Sequence, residues 1–196
     1  MLLTDENIST LHNNCSGKHT MMLGLCKLKN WDTKTYDNIE HPLQLAIKKK
    51  LYELCDLKEE HPVTTDGCGV PIFGMPMNNI LTGYIKLFCN DKYKKIRNAF
   101  LNNPYLIGGE DRTDTKIIQN GNKKLTAKVG AGGLCVIVNI DKKEGFLVKI
   151  SDCDMKAREL VVFEMLNRLN WTTYKPDGSI KTLHGQIVGQ YEVLSD

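Results

Sequence analysis

Two β-rich runs joined by a short connection constrain this chain more than any other feature. Leu134-Cys135-Val136-Ile137-Val138-Asn139-Ile140 and Gly145-Phe146-Leu147-Val148-Lys149-Ile150 are dense in β-branched and apolar residues. Only Asp141-Lys142-Lys143-Glu144 separates them, which predicts an antiparallel hairpin. Helical periodicity surrounds this hairpin. Residues 154–169 predict a helix with Leu160, Val161, Phe163, Leu166 and Leu169 on a broad apolar face. A second helix is predicted from His41-Pro42, with Pro in the first turn and Leu43, Ala46, Ile47, Leu51 and Leu54 at three- and four-residue spacing. Further helices are expected from near Asn14 to Leu25, capped by Asn13 or Asn14, then from 78 to 89 and from 91 to 101. Residues 108–119 read as a loop feeding a short helix, and Asn120-Gly121 as a turn. Helices, then a hairpin, then a helix favour an antiparallel sheet covered by helices over a doubly wound parallel sheet. The expected class is therefore α/β in the broad sense, α+β in the strict one.

The 196 residues suit a single domain spanning 1–196, and no repeat, low-complexity tract or linker divides them. Charged residues make up 25% and the net charge is +3 without a basic arm, which gives no support to nucleic-acid binding. No apolar run approaches the ~20 residues of a membrane span. The opening Met-Leu-Leu-Thr-Asp-Glu-Asn lacks the basic and apolar regions of a signal peptide. Seven cysteines form an odd, scattered set, so the expectation is a reducing cytoplasm and mostly free thiols. Lys48, Lys49 and Lys50 read either as a phosphate patch or as a solvated helix face.

Three stretches look unlike packing. The first is His12-Asn13-Asn14-Cys15-Ser16-Gly17-Lys18-His19. Cys15 and Lys18 share a helix face, and a lysine beside a thiol lowers the thiol's pKa. The alternative is a polar helix start with an inert cysteine. The second is Asp66-Gly67-Cys68-Gly69-Val70-Pro71, where two glycines let the backbone bend sharply around a thiol. The alternative is a tight turn with an incidental cysteine. The third is Lys128-Val129-Gly130-Ala131-Gly132-Gly133, entering the 134–140 strand. Its Lys-x-Gly is similar to the box in which β-lactamases use lysine to hold an anion or tune a nucleophile. The alternative is a glycine-rich bend. The glycines fit neither the dinucleotide fingerprint nor a Walker motif, and no H-E-x-x-H or paired C-x-x-C supports a standard zinc site. His41, His61 and His184 read as cap, loop or structural residues.

In this order, the motifs resemble the rhizobial-type L-asparaginase II family. The resemblance covers HNNCSGKH at 12–19, HPLQ at 41–44, DGCGVP at 66–71 and Gly-x-x-Arg-x-Asp-Thr at 109–115. It continues through Lys-x-Gly-Ala-x-Gly at 128–133 and Leu-x-Gly-x-x-x-Gly at 183–189. It implies a serine-β-lactamase-like fold and hydrolysis of L-asparagine to aspartate and ammonia. It further implies a zinc site of Cys15, Lys18 and Cys68, with His19, Asp66 and Lys128 as catalytic residues. Lys128 would support the nucleophile. Asp66, Asn14 and Gly130 would contact substrate, Asp66 through its α-amino group. Lysine must lose its proton before it can ligate a metal.

The chain departs from the family at several points. Thr20-Met21 stands where the family has Ala-Gly, Gly132-Gly133 lacks the family's acid, and Asp152-Cys153 replaces an Asp-Gly. The family's nucleophilic Ser-x-x-Lys lies upstream of HNNCSGK, and no Ser-x-x-Lys occurs in these 196 residues. The expectation is the C-terminal portion of an asparaginase, incomplete relative to the family, whose serine comes from a separate N-terminal polypeptide or was lost. On this reading the chain alone is weak or inactive. A homodimer is also expected. Two other readings stay open: a self-sufficient cysteine amidohydrolase using Cys15 and Lys18, and a non-catalytic amino-acid-binding or relic module.

Overall fold

The computed structural model describes residues 9–194. The opening heptapeptide read above for leader features lies outside them. The chain divides into two compact units, Met1–Pro76 and Met77–Asp196.

In the first unit a 3-10 turn at Thr10–His12 precedes helix α1, Ser16–Lys29. Cys15 is its N-cap residue and supplies no side-chain cap. The expected cap by Asn13 or Asn14 is thus corrected: Asn13 Oδ1 accepts from Cys15 N at 2.7 Å, one step before the helix. The helix runs beyond the expected Leu25 and stops where Asn30 turns left-handed at φ 55°. Helix α2, Pro42–Leu54, starts as expected, with Pro42 in the first turn and His41 Nδ1 accepting from Leu43 N at 3.0 Å. Its predicted stripe is only partly buried. Leu43 and Gln44 are sealed, while Ala46 faces solvent and Ile47, Leu51 and Leu54 are half-buried. Lys48 pairs with Glu60 at 2.8 Å and Lys50 with Glu53 at 2.6 Å, which selects the solvated-face reading of this lysine run. Two short strands, β1 at Val63–Thr65 and β2 at Pro71–Phe73, pair antiparallel with Thr65 opposite Pro71.

The second unit opens with α3, Met77–Cys89, and α4, Lys94–Asn102, separated by a 3-10 turn at Asp91–Tyr93. The expected 91–101 helix is therefore split at its start. Two short helices follow, α5 at Pro104–Gly108 and α6 at Thr113–Gln119. Next comes a three-stranded antiparallel sheet of β3 (Leu125–Val129), β4 (Leu134–Asn139) and β5 (Glu144–Lys149), ordered β3-β4-β5. The predicted hairpin is β4–β5, with Asn139 opposite Glu144. The third strand, β3, was not anticipated because its sequence, LTAKV, mixes signals.

Helix α7, Met155–Arg168, covers the sheet. The core joins Ile117 and Ile118 of α6, Leu125 of β3, Ile137 of β4, and Phe163 and Leu166 of α7. Each fully buried side chain of this size contributes roughly 1.5–3 kcal/mol. From the other side, α3 packs on β4 and β5. Cys153, just before α7, holds a left-handed φ of 66°. A final pair, β6 at Ser179–Lys181 and β7 at Ile187–Gln190, forms a bulged antiparallel ribbon. Mixed helices and small antiparallel sheets agree with the expected class. Among the described residues, no helix is long and apolar enough to cross a membrane.

Candidate metal centre and a second lysine–aspartate pair

The β1–β2 turn carries the DGCGVP segment. Asp66 N donates to Val70 O at 2.8 Å and Gly69 N to Asp66 O at 2.9 Å, closing a tight loop with Cys68 at its tip. Gly69 adopts φ 92°, a conformation that strains any side chain bearing a Cβ. The loop presents Cys68 and Asp66 to the start of α1. There Cys15, Asp66 and Cys68 each offer a ligand atom, all within 4.8 Å of one another.

Lys18 joins this cluster as a donor. Its Nζ donates to Asp66 Oδ2 at 3.0 Å, and Asp66 Oδ1 accepts from Gly67 N at 2.7 Å. Lys18 and the Gly67 amide together hold the Asp66 carboxyl below its ordinary range. Burial works against the Lys18 charge, but its hydrogen bonds to Asp66 and Cys68 outweigh that and raise its pKa. The expectation that Lys18 lowers the Cys15 pKa is corrected. Burial, the hydrogen bond with Cys68 and the nearby Asp66 push the Cys15 thiol up, and the pull of Lys18 does not overcome them.

The donor chemistry fits a zinc-type ion. Two thiols are soft ligands of the kind zinc selects, and a carboxylate is an accepted third. Coordination requires both thiols to lose protons, which a metal's own charge promotes. Lys18 is engaged as an ammonium donor, so it enters a ligand set only after giving up its proton. The resemblance assigns Asp66 to catalysis and to substrate binding; its place among the metal-range atoms is a finding of the structure.

His19 follows on the next position of α1, and its Nδ1 shares a hydrogen bond with the Tyr36 hydroxyl. His19, Tyr36 and Cys68 line a cavity of about 450 Å³ together with Asn13, Ser16 and Leu23. Asn14 is exposed, and it is the neighbouring Asn13 that lines the cavity.

The second unit holds Lys128 and Gly130. Lys128 lies on β3 opposite Val136, and its Nζ donates to Asp114 Oδ2 at 2.9 Å. Asp114 is fully buried and also accepts from Val129 N at 3.3 Å and Thr115 N at 3.2 Å. A Cβ added at Gly108 would stand 2.1 Å from Asp114 Oδ1, so that glycine is needed for the carboxylate to fit. Gly130 donates its amide to Leu134 O at 3.0 Å, and its carbonyl accepts from Arg158 Nη1 at 3.3 Å. Sequence reasoning missed Asp114 and Arg158. The signal for Asp114 was the Gly-x-x-Arg-x-Asp-Thr stretch; nothing in the α7 pattern marks Arg158.

Comparison with known proteins adds one positive finding. The family model for L-asparaginase II matches residues 1–193, nearly the whole chain. No curated protein gives a significant match.

Proposed function

The chain belongs to the L-asparaginase II family, and from that premise we propose that it serves hydrolysis of L-asparagine to L-aspartate and ammonia through a Cys/Lys/Cys zinc centre. The observation that carries the zinc reading is the clustering of Cys15, Asp66 and Cys68 atoms within 4.8 Å, with Lys18 bound to the same carboxylate. Cys15, Cys68 and deprotonated Lys18 would hold the ion. When bound, zinc supplies a positive centre that keeps the thiolates ionised and fixes the turn next to the cavity. Once Lys18 no longer donates to Asp66, that carboxylate is available to receive a substrate ammonium by charge-assisted hydrogen bonds.

His19 and Tyr36 would position the ligand at the wall of the same cavity. Lys128, oriented by buried Asp114, would support the nucleophile. The reaction is nucleophilic acyl transfer: a hydroxyl adds to the side-chain amide carbon, ammonia leaves, and water releases aspartate. No Ser-x-x-Lys occurs in these 196 residues. We therefore assign the acyl-accepting serine to a segment outside these 196 residues, with residues 1–196 acting as one asparaginase-II-like domain on a serine-β-lactamase-like scaffold.

The Cys15–Lys18 nucleophile–base reading is the weaker one. Lys18 is held as an ammonium by Asp66, and the Cys15 thiol is pushed toward its protonated form. One experiment separates the two readings. The purified chain is expected to bind one equivalent of zinc and release no ammonia from asparagine. Activity should then appear on adding a polypeptide that carries Ser-x-x-Lys. Ammonia release at enzymatic rates by the chain alone, abolished by Cys15→Ser, would overturn the proposal in favour of cysteine catalysis.

A further inference from the structure

The second unit contains a buried cation that forms no ion pair with a carboxylate among the described residues. Arg158, in the first turn of α7, is only 3% exposed. Its Nη1 donates to the carbonyls of Gly130 at 3.3 Å and Leu134 at 3.5 Å. Its buried Nε has no acceptor among the described residues. The neighbouring carboxylates are taken, Glu159 by Lys116 at 2.8 Å and Asp114 by Lys128 at 2.9 Å. An unpaired buried guanidinium is strongly unfavourable, and a bound anion relieves it.

Arg158 lines a cavity of about 400 Å³ whose wall includes the α7 N-terminus at Met155 and Lys156. The N-cap Asp154 accepts from Ala157 N at 2.6 Å. The amides of Met155 and Lys156 have no acceptor among the described residues. Free amides at the start of a 14-residue helix carry partial positive charge and bind oxyanions. The rim bears the opposite sign as well: Asp111, Asp154 and Glu159 line the same cavity. Asp111 is exposed and makes no direct hydrogen bond or ion pair among the described residues. Glu159 and Asp154 are engaged by Lys116 and by Ala157 N, and Arg112 also lines the cavity, so the wall offers both signs. A single carboxylate with an adjacent ammonium satisfies both signs.

We propose that this cavity binds the zwitterion of a small α-amino acid, its carboxylate on Arg158 and the free α7 amides and its ammonium on Asp111. These residues are separate from the Cys15 centre, and the inference does not depend on zinc or on turnover. Because Arg158 also holds the Gly130 carbonyl, the occupant is one hydrogen bond away from the loop that follows Lys128.

The test is a titration of the isotope-labelled 196-residue chain, followed by amide and arginine side-chain NMR. Glycine is expected to shift Met155 N–H, Lys156 N–H and Arg158 Nε–H saturably. Acetate should shift the same groups with weaker affinity, and methylammonium should not. Arg158→Lys is expected to weaken glycine binding roughly 10- to 100-fold, as for loss of a hydrogen bond to a charged group. Asp111→Asn keeps the left-handed backbone that asparagine tolerates. It should weaken glycine about tenfold and leave acetate unchanged.

Cys15→Ser is expected to change none of this, which separates failure here from failure of the zinc reading. Absent or unsaturable shifts at these three groups would overturn the proposal, as would phosphate binding more tightly than glycine. Retained glycine affinity in Arg158→Lys would do the same; if that variant does not fold, the wild-type titration and Asp111→Asn decide.

Discussion

Two lysine–aspartate pairs of nearly the same length, one taken from each unit, do different work. Lys18–Asp66 spans 3.0 Å with side chains 36% and 39% exposed; Lys128–Asp114 spans 2.9 Å with side chains 36% and 0% exposed. The lysines are equally accessible, so the aspartates make the difference. Asp66 sits on a turn where water and ligands reach it, and its bond to Lys18 is exchangeable. Asp114 is sealed under Gly108 and tied to two backbone amides, so it fixes Lys128 in one place. Exposed pairs contribute about 0–1 kcal/mol, while breaking a buried one costs several. A salt bridge thus marks an adaptable site in the first unit and a rigid support in the second.

The thiols divide along the same line. Cys15 and Cys68 are half-buried in metal-range geometry, whereas Cys135 is fully buried beside the Asp114–Lys128–Arg158 charges. Burial pushes the Cys135 thiol from 9.0 up to about 12. Its folded pKa lies above its unfolded one, so its contribution is fully present below pH 9.0 and is lost as pH rises toward 12. The largest effect is therefore expected in alkali. Stability should fall by on the order of 4 kcal/mol across that window, and Cys135→Ala should remove this component of the pH dependence. Urea unfolding at pH 8 and pH 11 measures it, and parallel slopes for the two proteins would sink the assignment.

Next in size is Asp114→Ala, expected to destabilise the chain by about 3 kcal/mol, with the exposure of Lys128 moderating the full penalty of a broken buried pair. A shift in the urea midpoint no larger than that of a surface substitution would erase the contrast between the two pairs. Asp66→Ala is expected to change stability by less than about 1 kcal/mol. Its effect should fall instead on asparagine binding, weakened roughly 10- to 100-fold as for loss of a hydrogen bond to a charged group. If Asp66→Ala proves as destabilising as Asp114→Ala, exposure is not what separates the two. The smallest effect is expected for Lys48→Ala, whose Glu60 partner is solvated; its thermal midpoint should match the parent within error.

Local patterns were legible where one face or one turn decides the structure. The β4–β5 hairpin follows from two apolar runs and a four-residue connection, and α7 was placed to within a residue at each end. Pro42 and His41 announced the start of α2. The short strands were hidden for a physical reason: three residues carry too little periodicity to distinguish a strand from a turn, as at β1 and β2. The candidate centre was half legible. Cys15, Lys18, Asp66 and Cys68 stood out by motif, and the structure gathers all four. The pKa of Cys15 was misjudged because its sequence neighbour Lys18 was weighed without burial and without Cys68, 53 positions away.

The sequence alone determined the class, the family and the residue types available for chemistry, because these depend on composition, periodicity and contiguous motifs. Tertiary structure decided which charges are buried. Asp114 and Arg158 read as ordinary surface residues in a linear chain, since polar side chains on a short or amphipathic helix usually face water. Only the packing of α6 and α7 against the sheet removes that water, turning one into a lysine's anchor and leaving the other a buried cation held by backbone carbonyls, with no carboxylate partner among the described residues.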